Sequence, residues 1–134
     1  MINVPYTMDE ESLQSKAMPA ILNWLEQLSG DVSIEKLFDK SFMKEYTSSP
    51  DIKTFLAPAG IIDQNSFDNW IQDARNIYVR DRTEFSTWDE FEETAAKKWA
   101  GRKQKKIRAG TWKEETFNSR DPFKNIKFHF NFHV

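Results

Sequence analysis

The basic segment, residues 97–113, carries the strongest chemical signal in the sequence. It holds eight basic residues and no acidic one, with Trp99 and Trp112 among them. Lysine and arginine neutralise phosphates and aromatic rings stack on bases, so this combination is typical of proteins that hold nucleic acid without reading its bases. The residues predicted to bind nucleic acid or another polyanion are Lys97, Lys98, Arg102, Lys103, Lys105, Lys106, Arg108, Trp112 and Lys113.

A second interpretation of the basic segment is a solvated helix face that complements the acidic remainder of the chain or an acidic partner. Outside residues 97–113, 11 basic residues stand against 21 acidic ones. The isoelectric point is about 5.7, whereas domains devoted to DNA are commonly basic throughout. Charge alone therefore leaves nucleic acid and an acidic protein as alternative partners.

His129 and His133 are the two histidines of the chain, and their pairing raises the question of a metal site. Four residues along a strand span roughly 13 Å at about 3.3 Å per residue. Two nitrogens that bind one zinc ion both lie within about 2.1 Å of it. One ion cannot bridge both side chains, so we expect two solvated histidines on a strand face and no metal.

Catalytic chemistry has little support in the sequence. The acidic clusters at residues 9–11 and 89–93 stand at expected helix starts, where the helix dipole favours them without any catalytic role. The four glycines are isolated and cysteine is absent, so the chain has neither a glycine-rich phosphate loop nor a thiolate nucleophile. We predict a protein that is not an enzyme, with no catalytic residue and no cofactor.

The basic segment must be positioned by the helix predicted to begin at Ser86. Ser86 and Asp89 resemble a capping box, in which a hydroxyl and an acidic side chain satisfy free amides of the first turn. Gly101 marks a helix end or a weak point. The apolar residues recur at i, i+3, i+7 and i+11, which places them on one stripe: Trp88, Phe91, Ala95 and Trp99.

Further short helices are predicted ahead of this one. The first would begin near Thr7 and end at Gly30, since a glycine often follows a helix, and at Pro19 it either kinks or gives way to a new helix. Ser33 is expected to cap the next helix, which carries Phe42 and is broken by residues 48–50, and Ser66 a later one, because a serine side chain accepts a hydrogen bond from the first turn. A helical body over about residues 7–100 follows from this pattern.

The C-terminal residues have the alternation of a strand, predicted over about residues 125–134. The apolar positions are Ile126, Phe128, Phe130, Phe132 and Val134. A single strand is unstable in water. We expect its neighbour to be Thr111–Phe117, Ile2–Tyr6 or a strand of another subunit.

Length and composition complete the expected architecture. The 134 residues suit a single globular domain over 1–134. The fold class is α+β and mostly helical, with four or five short helices and a small C-terminal antiparallel β element. The sequence has neither an apolar run of roughly 20 residues nor the features of a signal peptide, which favours a cytoplasmic protein that does not bind a membrane.

Two functions from different classes fit these features. The first is a small non-enzymatic binding protein that uses the basic segment on nucleic acid or another polyanion. The second is a protein-protein adaptor or inhibitor, of the phage, anti-defence or toxin-immunity kind, which docks through its acidic body or an exposed strand. The sequence does not distinguish a monomer from an oligomer.

Overall fold

The computed structural model describes residues 28–130. The expectations for Ile2–Tyr6, for the first helix up to residue 27 and for residues 131–134 lie outside this range. The described residues belong to two compact units. The larger unit is Val32–Phe128, while residues 28–31 and 129–130 belong to the other. The single domain over 1–134 stays a prediction.

Six α-helices and two short strands form between Gly30 and Phe130, and the two strands make an antiparallel sheet. This confirms the α+β, mostly helical class. The helices are α1 (Ile34–Leu37), α2 (Lys40–Tyr46), α3 (Ile52–Leu56), α4 (Gln64–Asp68), α5 (Gln72–Arg82) and α6 (Trp88–Ala109). The strands are β1 (Gly30–Ser33) and β2 (Lys127–Phe130).

The strand β2 pairs with β1. The prediction that Thr111–Phe117 would be its neighbour is wrong, since that segment forms no strand. β1 was not predicted because it is only four residues long. In addition, Gly30 at its start is typical of a helix end, and Ser33 at its end is typical of a helix cap. Ser33 does cap α1, accepting a hydrogen bond from the amide of Lys36 at 3.3 Å, and it closes the strand as well.

Aspartates start three of the helices. The carboxylates of Asp39, Asp51 and Asp63 accept hydrogen bonds of 2.7–2.9 Å from amides in the first turns of α2, α3 and α4. The helix predicted from Ser33 through Phe42 is therefore two helices, because Asp39 caps a new one. Ser66 is not an N-cap, since it lies inside α4 and completes a capping box with Asp63.

The helix α6 is longer than its sequence suggested. Its N-cap is Thr87, whose hydroxyl accepts from the amide of Glu90 at 3.1 Å, so the start predicted at Ser86 is one residue early. The helix continues through Gly101 and ends at Gly110, which has a left-handed φ of 71°. A glycine costs a helix only about 1 kcal/mol, which the packing of α6 outweighs.

The core of Val32–Phe128 is rich in aromatic residues. All four residues of the α6 stripe are buried, with at most 3% of their surface exposed, as predicted. Phe91 lies at the centre of this cluster, with five ring centroids 4.8–5.6 Å from its own. These rings belong to Phe38, Phe42, Phe55, Phe85 and Trp88. Aromatic packing therefore fixes α6 against α1, α2 and α3.

Candidate polyanion-binding surface and the adjoining pocket

The helix α6 carries seven of the nine predicted site residues, between positions 97 and 108. Trp112 and Lys113 follow in an extended segment after the helix. Lys98, Arg102 and Lys105 stand at i, i+4 and i+7, so they share one side of the helix. The exposed cations are Lys97, Lys98, Lys105, Lys106, Arg108 and Lys113.

Three of the predicted site residues have carboxylate partners. Lys97 pairs with Glu93 at 3.3 Å and Lys98 with Glu45 at 3.9 Å. Arg102 pairs with Asp39 at 3.3 Å. Exposed pairs of this kind contribute little to stability, but they neutralise part of the positive charge.

Three other cations remain available. Within residues 28–130, Lys105, Lys106 and Lys113 form no ion pair with a carboxylate. All three are exposed, so an anionic ligand can reach them without first displacing a protein carboxylate.

Lys103 has a different environment, because it is only 5% exposed. Its ammonium nitrogen lies 5.1 Å from the ring centroid of Trp99 and 4.5 Å from that of Trp112. These distances allow cation-π attraction. Burial lowers the pKa of Lys103 from its usual 10.5. The expectation that Lys103 is an exposed cation is wrong, since position 103 follows Trp99 by four residues and continues its buried stripe.

Trp112 is half buried and meets Trp99 edge to face, with centroids 6.5 Å apart and an interplanar angle of 72°. It was expected to be free to stack on a base. The structure instead holds its indole in a fixed orientation, with the remaining exposed part facing a pocket.

This pocket has a volume of about 820 Å³ and adjoins α1, α2, α3, α6 and the segment after α6. Eight of its lining residues are Lys or Arg and five are Asp or Glu. The lining residues are Glu35, Lys36, Phe38, Asp39, Lys40, Ser41, Asp51, Ile52, Lys53, Trp99, Arg102, Lys103, Lys106, Thr111, Trp112, Lys113, Glu114, Glu115 and Lys124.

Several pocket carboxylates are engaged in structural contacts. Asp39 caps α2 and pairs with Arg102. Asp51 caps α3, and hydrogen bonding to Thr54 lowers the pKa of Asp51 below its usual 3.8. Burial raises the pKa of Glu115 above its usual 4.5, against the opposing effect of nearby lysines. The carboxylates of Asp39 and Asp51 are thus partly satisfied before any ligand arrives.

The histidine that the structure describes takes no part in this site. His129 is exposed, and its Nδ1 lies 2.7 Å from a carboxylate oxygen of Asp31. His133 lies outside the described residues. Between residues 28 and 130 no three metal-binding side chains cluster together, and no helix is long and apolar enough to cross a bilayer.

Comparison of the chain with protein-family models, with curated proteins and with solved structures finds no match. Function is therefore inferred from the residues and their geometry.

Proposed function

We propose that this protein is a non-enzymatic binding protein that holds nucleic acid, or a polyanion of similar charge density, on the exposed cations of α6 and the segment after it. The observation that carries the proposal is the exposure of Lys105, Lys106 and Lys113 without a carboxylate partner among the described residues. Exposed lysines without a carboxylate partner gain the most binding free energy from phosphates, because no ion pair within the protein has to break first.

The dimensions of α6 suit such a ligand. Lys97 and Arg108 are eleven residues apart, which is about 16 Å along a helix axis. Phosphates on one strand of a duplex follow each other at about 3.4 Å along its axis, so this length faces roughly five of them. Because contacts of lysine and arginine with phosphates carry no direct sequence information, we expect binding that tolerates any base sequence.

The test is a titration with short nucleic acids at several salt concentrations. With about four phosphates neutralised, log K should fall against log salt with a slope near -3 to -4. Replacing Lys105 and Lys113 together with alanine should flatten the slope by about 1.5 to 2 units. Stability should hardly change, because both side chains are exposed.

A matched control is the double variant Lys44→Ala/Arg80→Ala, which removes the same charge from exposed positions on α2 and α5. It should leave the slope unchanged. Absence of binding at low salt to single- and double-stranded RNA and DNA would eliminate the proposal.

A second candidate function is the protein-protein adaptor or inhibitor, and exposed apolar side chains favour it. Ile62, Ile71 and Ile77 have 64%, 68% and 53% of their surface exposed. On the apolar face of β2, Phe128 is only 9% exposed, so the three isoleucines offer more apolar surface than this residue does. A stoichiometric protein complex that survives nuclease and is lost in Ile62→Ser/Ile71→Ser would support the adaptor over the polyanion-binding protein.

A further inference from the structure

The pocket beside α6 differs in chemistry from the exposed side of the same helix, because it combines cations with an indole. We propose that it binds a phosphorylated nucleoside, either free or at the end of a strand. The phosphate would lie near Arg102 and Lys106, and the base against Trp112. This site goes beyond the proposed polyanion surface: the two share Lys106 and Lys113, but only the pocket uses Trp112, so nucleotide binding and the salt slope for duplex DNA test them separately.

The size of the pocket suits a ligand of this class. Its volume of about 820 Å³ lies within the roughly 300 to 1,000 Å³ of typical small-molecule sites. A bare phosphate ion would fill a small part of it and leave Trp112 unused. A purely apolar ligand would remove water from the charged side chains of the lining without giving them hydrogen bonds in return, which is unfavourable.

The anion-binding end is built on Arg102. Its Nε pairs with Asp39 and one Nη donates to the backbone oxygen of Lys36 at 2.7 Å, so the guanidinium is held in one orientation. Its other Nη has no hydrogen-bond partner among the described residues. Lys36 and Lys106, which also line the pocket, form no ion pair within that range. A fixed guanidinium with lysines beside it is a common arrangement for a phosphate.

The ring-binding end is built on Trp112. Its edge-to-face contact with Trp99 and the buried ammonium of Lys103 hold the indole in place. Part of the Trp112 surface remains exposed and lines the pocket. A base that stacks on a ring already fixed loses less entropy than one that must first order the ring.

The test is calorimetric titration of the full chain, at constant ionic strength, with a nucleoside monophosphate, the matching nucleoside and inorganic phosphate. The nucleotide should bind at least about tenfold more tightly than either fragment, because only the nucleotide uses both ends of the pocket. Equal affinity for the nucleotide and for phosphate would overturn the proposal, as would no nucleotide binding.

Variants localise the site. Lys106→Gln and Trp112→Leu should each weaken nucleotide binding by about tenfold or more. Lys105→Gln, on the same helix but outside the pocket lining, should not. If Trp112→Leu unfolds the protein in a thermal melt, the comparison of Lys106→Gln with Lys105→Gln decides alone, and equal losses in these two overturn the proposal.

Oligonucleotides with and without a terminal phosphate identify the source of the ligand. Tighter binding of the phosphorylated end, lost in Lys106→Gln, would assign the pocket to strand ends. Equal binding of both oligonucleotides, together with tight binding of the free nucleotide, would assign it to free nucleotides. The salt slope for duplex DNA reports the outer surface separately, and Trp112→Leu should leave that slope unchanged.

Discussion

Phe91 is the residue whose removal should cost the fold most. It is completely buried and contacts aromatic rings of α2, α3 and its own helix, and that of Phe38 directly after α1. Phe91→Ala should lower the free energy of unfolding by about 3 to 5 kcal/mol, because the cavity cannot close against rigid rings. Chemical denaturation measures this loss. Ile77→Ala, at a position that is 53% exposed, is the control and should change stability by less than about 1 kcal/mol. A loss below about 1 kcal/mol for Phe91→Ala would contradict the placement of Phe91 at the centre of the core.

Glu92 is a carboxyl that the fold tolerates at a cost. Burial raises its pKa above the usual 4.5, and the nearby Asp89 acts in the same direction. Between pH 4.5 and that raised pKa, the folded protein binds the proton more tightly than the unfolded chain. Its contribution to stability therefore falls as the pH rises through this window.

Glu92→Gln should consequently raise the melting temperature at about pH 7 and leave it nearly unchanged at about pH 4, where the native carboxyl is itself protonated. Thermal melts at the two pH values measure the difference. Glu93→Gln, at the next and exposed position, is the control and should not raise the melting temperature at about pH 7, because Glu93 is exposed and pairs with Lys97. An equal gain for Glu92→Gln at both pH values would show that its charge is not the cause.

At the scale of the element, replacing each of two glycines by alanine should change the stability of the protein in opposite directions. Gly101 lies within α6 and Gly110 directly follows it. Gly101 has helical geometry and open space around its missing Cβ, whereas Gly110 has a φ of 71°. Gly101→Ala should stabilise the protein by roughly 0.5 to 1 kcal/mol. Gly110→Ala should destabilise it by about 1 to 2 kcal/mol, the cost of a left-handed alanine. Denaturant melts of the two variants check this, and a destabilising Gly101→Ala would mean that α6 is not continuous there.

The helices and strands also show how much of the fold could be predicted from the sequence. The α6 stripe was predictable because four large residues repeat at helical spacing over three turns. Its end was not, since the local preference of Gly101 opposes a packing energy that only the tertiary structure supplies. β1 was missed because a four-residue strand has no measurable period, and its partner in β2 is almost one hundred residues away.

Some residues of the candidate site could likewise be predicted from the sequence, and others could not. The cations of α6 were predictable because they are consecutive in the chain. Lys36, Lys40, Lys53 and Lys124 were not assigned to the pocket, since they belong to separate parts of the chain that only folding brings together. Lys103 carried a usable signal that was missed, because its spacing from Trp99 already placed it on the buried stripe.

At the scale of the whole molecule, the acidic residues should oppose the ligand of α6. The net charge is -2 at pH 7, and an acidic surface repels a polyanion over about a Debye length. Asp81 and Glu84 are exposed just before α6, about 25 Å or more from Lys105 if measured along the helix. Asp81→Asn/Glu84→Gln should strengthen association at low salt, and the gain should disappear at high salt, because salt screens a repulsion over this distance. Parallel salt titrations of variant and native protein measure the gain, and a gain that persists at high salt would mean that these carboxylates lie within the contact.

The arrangement of Trp99, Lys103 and Trp112 has an optical consequence. Two indoles held edge to face at 6.5 Å couple their electronic transitions, which produces a circular dichroism band that separated tryptophans lack. The Lys103 ammonium, 4.5 Å from the ring centroid of Trp112, adds an electric field that shifts the wavelength of Trp112 fluorescence. Rotation of Trp112 or loss of the Lys103 proton would change both signals. The protein therefore carries its own spectroscopic reporter at the mouth of the pocket, and occupancy can be followed there without attaching a dye.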